Sequence, residues 1–329
     1  MKRMISGIKP SGKLTLGNYL GAIKPFLRYQ NEYELFIFIA DLHALTLSID
    51  SAELRNNISD LISTYLAAGL DISKTTIFKQ SDILEHTALE WILTCNTNVR
   101  ELTKMPQYKN YVEKNGDKAV PCGMLMYPSL MNADILLYDA DYVPVGIDQK
   151  PHVDLTRDIA EDFNKKYHTT ILKAPRPVVT KVGAKIMSLS DPTKKMSKSE
   201  SDKGTIYLSD DLETARKKIM KAKTDAESKI CYDPENKAGI SNLLTIYAAV
   251  KNISIQEAAE IFKDETDYGK FKNIVADAVV DELKILQEKI NKVKQVPSYI
   301  NDVLANGNYV AKKFAEKKLL EIYKVIGLK

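Results

Sequence analysis

Two lysines three positions apart, Lys195 and Lys198, sit in the run Lys195-Met196-Ser197-Lys198-Ser199, separated only by a methionine and a small hydroxyl residue. Such a pair can turn toward one polyanion while the hydroxyls hold backbone groups, which suits a loop closing over phosphates. Asp191-Pro192 before it and Ser201-Asp202-Lys203-Gly204 after it favour irregular chain over a continuing helix. Lysine–serine runs are more commonly solvated surface. What lifts this one out of that class is a second stretch far upstream, from Ser6-Gly7 through Pro10-Ser11-Gly12 to Thr15-Leu16-Gly17-Asn18. A strand, a glycine-bearing turn and a helix in that order aim backbone N–H groups and the helix dipole at a place where a phosphate can sit. Gly17 lets an adenine or ribose approach the backbone, and Thr15 and Asn18 offer hydrogen bonds to phosphate or ribose. A third group is Asp134, which helical spacing puts in line with Leu130 and Leu137. A carboxylate on an apolar stripe requires a donor, and the pattern leaves open whether that donor belongs to the fold or to a ligand.

The elements that must position these groups follow from periodicity. Arg3–Ile8 reads as a first strand, and a helix starting near Gly17 carries Leu20, Ile23 and Leu27 on one side. Leu35–Ile39 is an unbroken apolar run, as expected for a parallel strand covered on both faces. It ends at Asp41-Leu42-His43, the carboxyl end where doubly wound folds bind ligands, and His43 reads as pocket wall rather than acid or base. Asp50 with Glu53 caps a helix whose apolar face is Leu54, Ile58, Leu61, Ile62, Tyr65 and Leu66 and which ends near Gly69. Thr75–Lys79 is a third strand, and Trp91, between Leu89 and Leu93, reads as core or dimer interface. Lys104–Gly116 reads as a polar, irregular insertion. Met124–Tyr138 is helical, Asp141–Val145 is a strand with Gly146-Ile147-Asp148-Gln149 as its carboxyl-end loop, and a helix follows from about Pro151 to Lys165. Beyond the lysine loop the pattern is helical throughout. Asp210 with Glu213 opens one helix, Ser254 with Glu257 another, and Val275, Val279, Leu283, Leu286, Ile290 and Val293 trace a long third, before a lysine-rich helix around 310–326.

A chain of 329 residues accommodates two domains. The net charge of +4 permits nucleic-acid binding without demonstrating it. Basic residues concentrate in 194–223, nine Lys/Arg against five Asp/Glu, and in 312–329, six against two; both are candidate RNA-backbone surfaces and equally ordinary solvated helix faces. Cys95, Cys122 and Cys231 form no C-x-x-C pair, which argues against a zinc site of the usual spacing and against a disulfide framework, and fits a reducing compartment. Lys2 and Arg3 have no apolar core behind them, so a secretory signal is not expected, and the longest apolar run, Leu35–Ala40, is too short to span a bilayer.

Thr15-Leu16-Gly17-Asn18 stands where class I aminoacyl-tRNA synthetases carry their HIGH motif, and Lys195–Ser199 matches their KMSKS motif letter for letter. With Asp134-Ile135-Leu136-Leu137-Tyr138 and Gly146-Ile147-Asp148-Gln149-Lys150 between them, the chain resembles the tryptophanyl-tRNA synthetases from Ile5 to the last helix. The resemblance implies an α/β catalytic domain over 1–192, doubly wound and Rossmann-like, with a parallel sheet and an insertion near 104–120. It implies a C-terminal all-helical domain over 193–329 that includes the KMSKS loop and meets the tRNA anticodon. It also implies a cytoplasmic homodimeric ligase that uses ATP, with magnesium carried by the ATP and no protein metal site, L-tryptophan and tRNA(Trp), and no membrane. Tryptophan is activated to its adenylate and then transferred to the tRNA 3′ ribose. The carboxylate is already a nucleophile, so positioning and charge stabilisation are what the protein supplies.

The same resemblance distributes roles. Thr15, Asn18, Lys195 and Lys198 are the catalytic group. ATP falls to Lys9, Pro10, Ser11, Gly17 and Asn18, to Gly146, Ile147, Asp148 and Ile186, and to Lys195, Met196, Ser197, Lys198 and Ser199. Tryptophan falls to Ile5, Gly7 and His43, to Tyr127, Met131 and Asp134, and to Val143, Val145 and Gln149. Here the donor facing Asp134 is the indole N–H, for which a carboxylate is a pure acceptor. The chain departs from the usual bacterial pattern at Lys9, where glutamine is common, at Ile147, which replaces a glutamate, and at Ile5, which replaces an aromatic. Lys109 and Lys114 are both candidates for the lysine an insertion often supplies. The nearest rival is a tyrosine-specific relative; a catalytically silent paralogue that binds tryptophan or RNA is a rival of another class, opposed by the intact Thr15, Asn18, Lys195 and Lys198.

Overall fold

The computed structural model describes residues 1–117, 120–179, 185–197 and 202–329, without the side chains of Asp148 and Asp202. Five strands, β1 (Arg3–Ile8), β2 (Glu34–Ile39), β3 (Thr75–Lys79), β4 (Tyr142–Val145) and β5 (Arg176–Val179), form one sheet in the order β3-β2-β1-β4-β5. All four pairings are parallel. Period-two alternation sends Met4, Leu35, Ile37 and Ile39 to one core cluster and Ile5, Phe36 and Phe38 to another, so β2 is covered on both faces. β1 pairs with β2 along its whole length, from Arg3 opposite Glu34 to Ile8 opposite Ile39, but with β4 only at Met4 opposite Tyr142. Between β1 and β4 the strand order reverses and the strands part, which opens a crevice at their carboxyl ends.

A short helix α1 (Leu16–Asn18) runs through a π-helical turn, Tyr19–Ile23, into α2 (Lys24–Glu32). Pro25 has no N–H to continue the ordinary ladder, and Lys24 N reaches back five residues to Tyr19 O. The turn is widened while Leu20 and Ile23 stay in the core. After α3 (Asp41–Ala44) comes α4 (Ser51–Ala68), where the Asp50 carboxylate accepts from the N–H groups of Ala52 and Glu53 and Gly69 closes the end. Then follow α5 (Glu85–Thr94), α6 (Val99–Leu102), α7 (Pro106–Asn115), α8 (Cys122–Leu136) and α9 (Lys150–Lys166). Beyond the lysine loop lie α10 (Leu212–Met220), α11 (Ala238–Lys251), α12 (Ile255–Ile261), α13 (Tyr268–Lys294) and α14 (Pro297–Ile326). Ser254 and Glu257 cap α12 reciprocally, and Val275, Val279, Leu283 and Leu286 are the buried stripe of α13.

Several elements differ from expectation. Most of the supposed irregular insertion is α7, which Pro106 starts and Gly116 ends. Trp91 is 69% exposed, so it is not core; α5 buries His86, Leu89, Ile92 and Leu93 instead. The cap of α10 is Asp211, whose carboxylate accepts from Thr214 N, while Asp210 accepts from Tyr207 N and Lys218 Nζ. β5 has no counterpart in the sequence reading: it is four residues long, carries Pro177 and lies at the sheet edge, where proline is tolerated.

The last helix returns to the other edge. Asn308 on α14 accepts from Lys79 N at 3.0 Å and donates to Asp82 at 2.7 Å, and Gly307 lies so close to the Ile77 carbonyl that any side chain there would collide with it. Phe314 packs edge-on to Phe36, with the Arg3 guanidinium 4.2 Å from its ring. α14 thus covers β3, which would otherwise be an open edge. Among the described residues, no helix is long and apolar enough to cross a membrane.

Candidate active site

A cavity of about 140 Å³ occupies the crevice between β1 and β4. Ser6 of β1 and Pro144, Val145 and Gly146 at the end of β4 form one side. Gly17, Asn18, Gly21, Ala22 and Pro25 form the other, and Ile186, Lys195 and Met196 close over it. Gly21 and Ala22 belong to the π-helical turn, so the break that Pro25 imposes faces the cavity with the smallest side chains of the segment. An added Cβ at Gly17 would meet nothing nearer than 3.5 Å, so packing within the protein does not demand glycine there.

The turn before α1 is rigid for a local reason. Thr15 Oγ1 accepts from Asn18 N, while Asn18 Oδ1 accepts from both Thr15 N and Thr15 Oγ1, all at 3.1 Å. This capping box commits the Thr15 side chain, which is 1% exposed, and orients the Asn18 amide, because only an oxygen can accept from Thr15 N. Asn18 Nδ2 is left as a donor with no partner among the described residues, on a residue that lines the cavity.

Two isolated antiparallel bridges frame the lysine loop, Thr15 with Tyr207 joining the turn to the chain beyond the loop and Met187 with Lys195 closing the start of the loop on itself. Leu16 N donates to Ile206 O at 2.8 Å and Leu208 N to Leu14 O at 2.9 Å, while Met196 N donates to Ile186 O and Ser188 N to Lys194 O. Met196 is buried in the first core cluster and anchors the loop, and Lys195 beside it stays exposed at the cavity. Thr205 Oγ1 donates to Ser197 O at 3.2 Å. Lys198 and Ser199 lie outside the described residues.

On the other face of the sheet Asp134 is 1% exposed and already has three partners. Oδ1 accepts from Gln80 Nε2 at 2.7 Å and lies 2.6 Å from His86 Nδ1; Oδ2 lies 2.7 Å from His43 Nε2. Burial alone would raise this carboxyl's pKa, but His43 and His86 outweigh it and bring the pKa down to about 2. Of the two sources of a donor that the pattern left open, the fold supplies one. A carboxylate has about four acceptor positions, so Oδ2, with one partner, retains room for another. The His43 ring stands edge-on to Tyr127 at 6.3 Å, and Tyr127 Oη bonds Gln107 of α7 and His152.

Of the residues assigned to ATP, Gly17, Asn18, Gly146, Ile186, Lys195 and Met196 line the cavity. Lys9, Pro10 and Ser11 form the turn after β1, where burial lowers the Lys9 pKa, and Ile147 is exposed. Of those assigned to tryptophan, His43, Tyr127 and Asp134 stand together; Ile5 and Val143 are buried in the second core cluster, with Met131 packed against it, and Gly7 faces the Phe38 ring. Gln149 ends the short turn after β4. Val145 both packs against that cluster and lines the cavity, which makes it the link between the two groups. Neither Lys109 nor Lys114, both exposed on α7, lines the cavity. Sequence reasoning placed Ser6 in the upstream motif without giving it a site role and missed Gly21, Ala22 and Pro25, although a small pair followed by proline within a helical pattern was a signal. It also missed Gln80, His86 and Tyr138, whose only signal was a polar group at buried spacing.

The family model described as "tRNA synthetases class I (W and Y)" matches residues 1–284. A tryptophan–tRNA ligase of Malacoplasma penetrans is 47% identical over 335 aligned positions, covering all of this chain and 98% of that protein. The solved tryptophanyl-tRNA synthetase of Mycoplasma pneumoniae superposes with a TM-score of 0.92 at 38% identity, covering 100% of this chain and 98% of the other. That of Campylobacter jejuni, complexed with ADP and tryptophan, gives 0.80 at 33% identity over 99% of each chain. A parallel sheet open at its switch point, a glycine-bearing turn and a lysine loop closed over one cavity are thus accompanied by full-length likeness, and the chain belongs to the class I tRNA synthetases of the tryptophan and tyrosine group.

Proposed function

We propose that this chain is a tryptophan–tRNA ligase: it activates L-tryptophan with ATP and transfers it to tRNA(Trp). The observation that carries the reading is the meeting of the Thr15–Asn18 turn and Lys195 around one cavity at the β1/β4 switch point. The tryptophan carboxylate attacks the α-phosphorus of ATP, the α–β bridging bond breaks, and pyrophosphate leaves. The tRNA 3′ ribose oxygen then attacks the carbonyl carbon of the adenylate, and AMP leaves. Lys195 and Lys198 supply positive charge where the leaving pyrophosphate gains negative charge, and the Asn18 amide donates to the nucleotide. Oδ2 of Asp134 accepts the indole N–H, while Ile5, Gly7, Met131, Val143, Val145 and Gln149 shape the slot and Tyr127 and His43 close it. Lys9 adds a partly desolvated cation beside the phosphates. Magnesium arrives bound to ATP. Residues 193–329 present the lysine loop and the helical surface to tRNA, and the enzyme works as a cytoplasmic homodimer.

Pyrophosphate exchange into ATP tests the substrate. Strong exchange with tryptophan and little with tyrosine is expected, and the reverse pattern overturns the proposal.

A further inference from the structure

His86 of α5 is fully buried, outside the cavity, and uses both ring nitrogens: Nδ1 on Asp134 Oδ1 at 2.6 Å and Nε2 on Tyr138 Oη at 2.8 Å. The rings of Phe38, Phe78 and Tyr138 surround it, with centroids 6.2, 6.1 and 5.6 Å away. Asp134 lies in the last turn of α8 and Tyr138 in the turn just beyond it, where Tyr138 N donates to Ile135 O, so His86 bridges the helix end to the segment that leaves it. The carboxylate can only accept, so Nδ1 must donate, and a neutral ring then accepts the Tyr138 hydroxyl at Nε2. Burial and the nearby Asp134 charge hold the Tyr138 hydroxyl protonated well beyond the ordinary phenol range. From the end of β3, Gln80 gives Oδ1 a second donor, and its own Oε1 accepts Leu42 N at 3.1 Å, which fixes the amide. Oδ1 is thereby saturated and the carboxylate plane set, while Oδ2 is left toward His43, whose side chain is 13% exposed.

We propose that His86, held by Tyr138, is a positioning residue for amino-acid selection: by fixing Oδ1 it aims Oδ2 of Asp134 at the indole N–H of the substrate. The inference rests on the reading that Asp134 accepts that N–H, and it concerns a fully buried residue that does not line the cavity. A merely structural His86 would lower activity toward every amino acid alike. A positioning His86 affects specifically the preference for a side chain with an N–H.

The readout is the ratio of kcat/KM for tryptophan to that for 3-(3-benzothienyl)alanine, in which sulfur replaces the N–H, measured by pyrophosphate exchange with Asp134→Asn, His86→Phe, His86→Asn and Tyr138→Phe. Asp134→Asn should lower the ratio at least tenfold. His86→Phe, which removes the Nδ1 donor, should lower it about as far with the KM for ATP unchanged. His86→Asn, whose amide can restore a donor near Nδ1, should recover most of it, and Tyr138→Phe should lower it severalfold. A ratio unchanged in Asp134→Asn overturns the reading of Asp134 and this inference with it. A ratio lowered by Asp134→Asn but unchanged by a folded His86→Phe overturns the positioning role alone. If His86→Phe does not fold, Tyr138→Phe decides, since an unchanged ratio there refutes the positioning role.

Discussion

Thr15 and Asn18 belong to the same motif, yet the capping box assigns them different work, and a pair of substitutions separates the two. Thr15→Val removes the acceptor for Asn18 N and leaves the Asn18 amide lining the cavity. Loss of such a cap destabilises by about 1 kcal/mol, within a range of roughly 0.5–2. Asn18→Ala removes the oxygen that holds Thr15 N and Thr15 Oγ1 at 3.1 Å, inside a residue that is 1% exposed. A buried donor left without a partner costs about 1–3 kcal/mol, so this change destabilises at least as much as the first. The difference lies in activity. Of these two residues Asn18 is the one with a spare donor at the cavity, and a hydrogen bond to a charged group is worth about 1.5–3 kcal/mol, roughly 10- to 150-fold in rate or affinity. Thermal unfolding should therefore show a Tm loss in both variants, whereas pyrophosphate exchange with ATP should fall at least tenfold in Asn18→Ala and only about twofold in Thr15→Val. In the double variant the stability losses should fall short of additive, since both remove one reciprocal box. The reasoning is refuted if Thr15→Val retains the parental Tm yet loses exchange as severely as Asn18→Ala.

Lys195→Ala should lower exchange on the order of 10²–10³-fold, the usual effect of removing one preorganised group that stabilises transition-state charge, while tryptophan binding measured by equilibrium dialysis stays within about twofold; unaltered exchange would remove the lysine from the proposed chemistry. Asp134 has a folded pKa of about 2, below its unfolded value near 3.8, so it contributes stability above pH 4 that is lost as pH falls through about 2. Acid unfolding followed by circular dichroism should show a weaker pH dependence between about 4 and 2 in Asp134→Asn, and an identical slope would contradict the three-partner network. Gly307→Ala drives a methyl group into the Ile77 carbonyl and should destabilise by about 1–3 kcal/mol, the range for overpacking. A Tm equal to the parent would show that α14 does not depend on that approach to β3.

Periodicity along the chain was enough to find β1 to its end residues, the buried stripe of α13 and the reciprocal cap of α12, because each depends on neighbours within a turn or a strand. The two lysine and glycine motifs were legible for the same reason, since the chemistry they serve constrains residue type at fixed spacing. What the chain order could not show was mostly a matter of distance. Tyr207 pairs with Thr15, and His43, Gln80 and His86 converge on Asp134 from separate elements; no local pattern encodes such contacts. The asymmetric pairing of β1, complete with β2 and limited to Met4 with β4, opens the crevice, and that is decided only when the sheet assembles. Asp134 carries the lesson in one residue. Helical spacing showed that a buried carboxylate must have a donor, but three side chains brought in by tertiary packing determined which oxygen remains available.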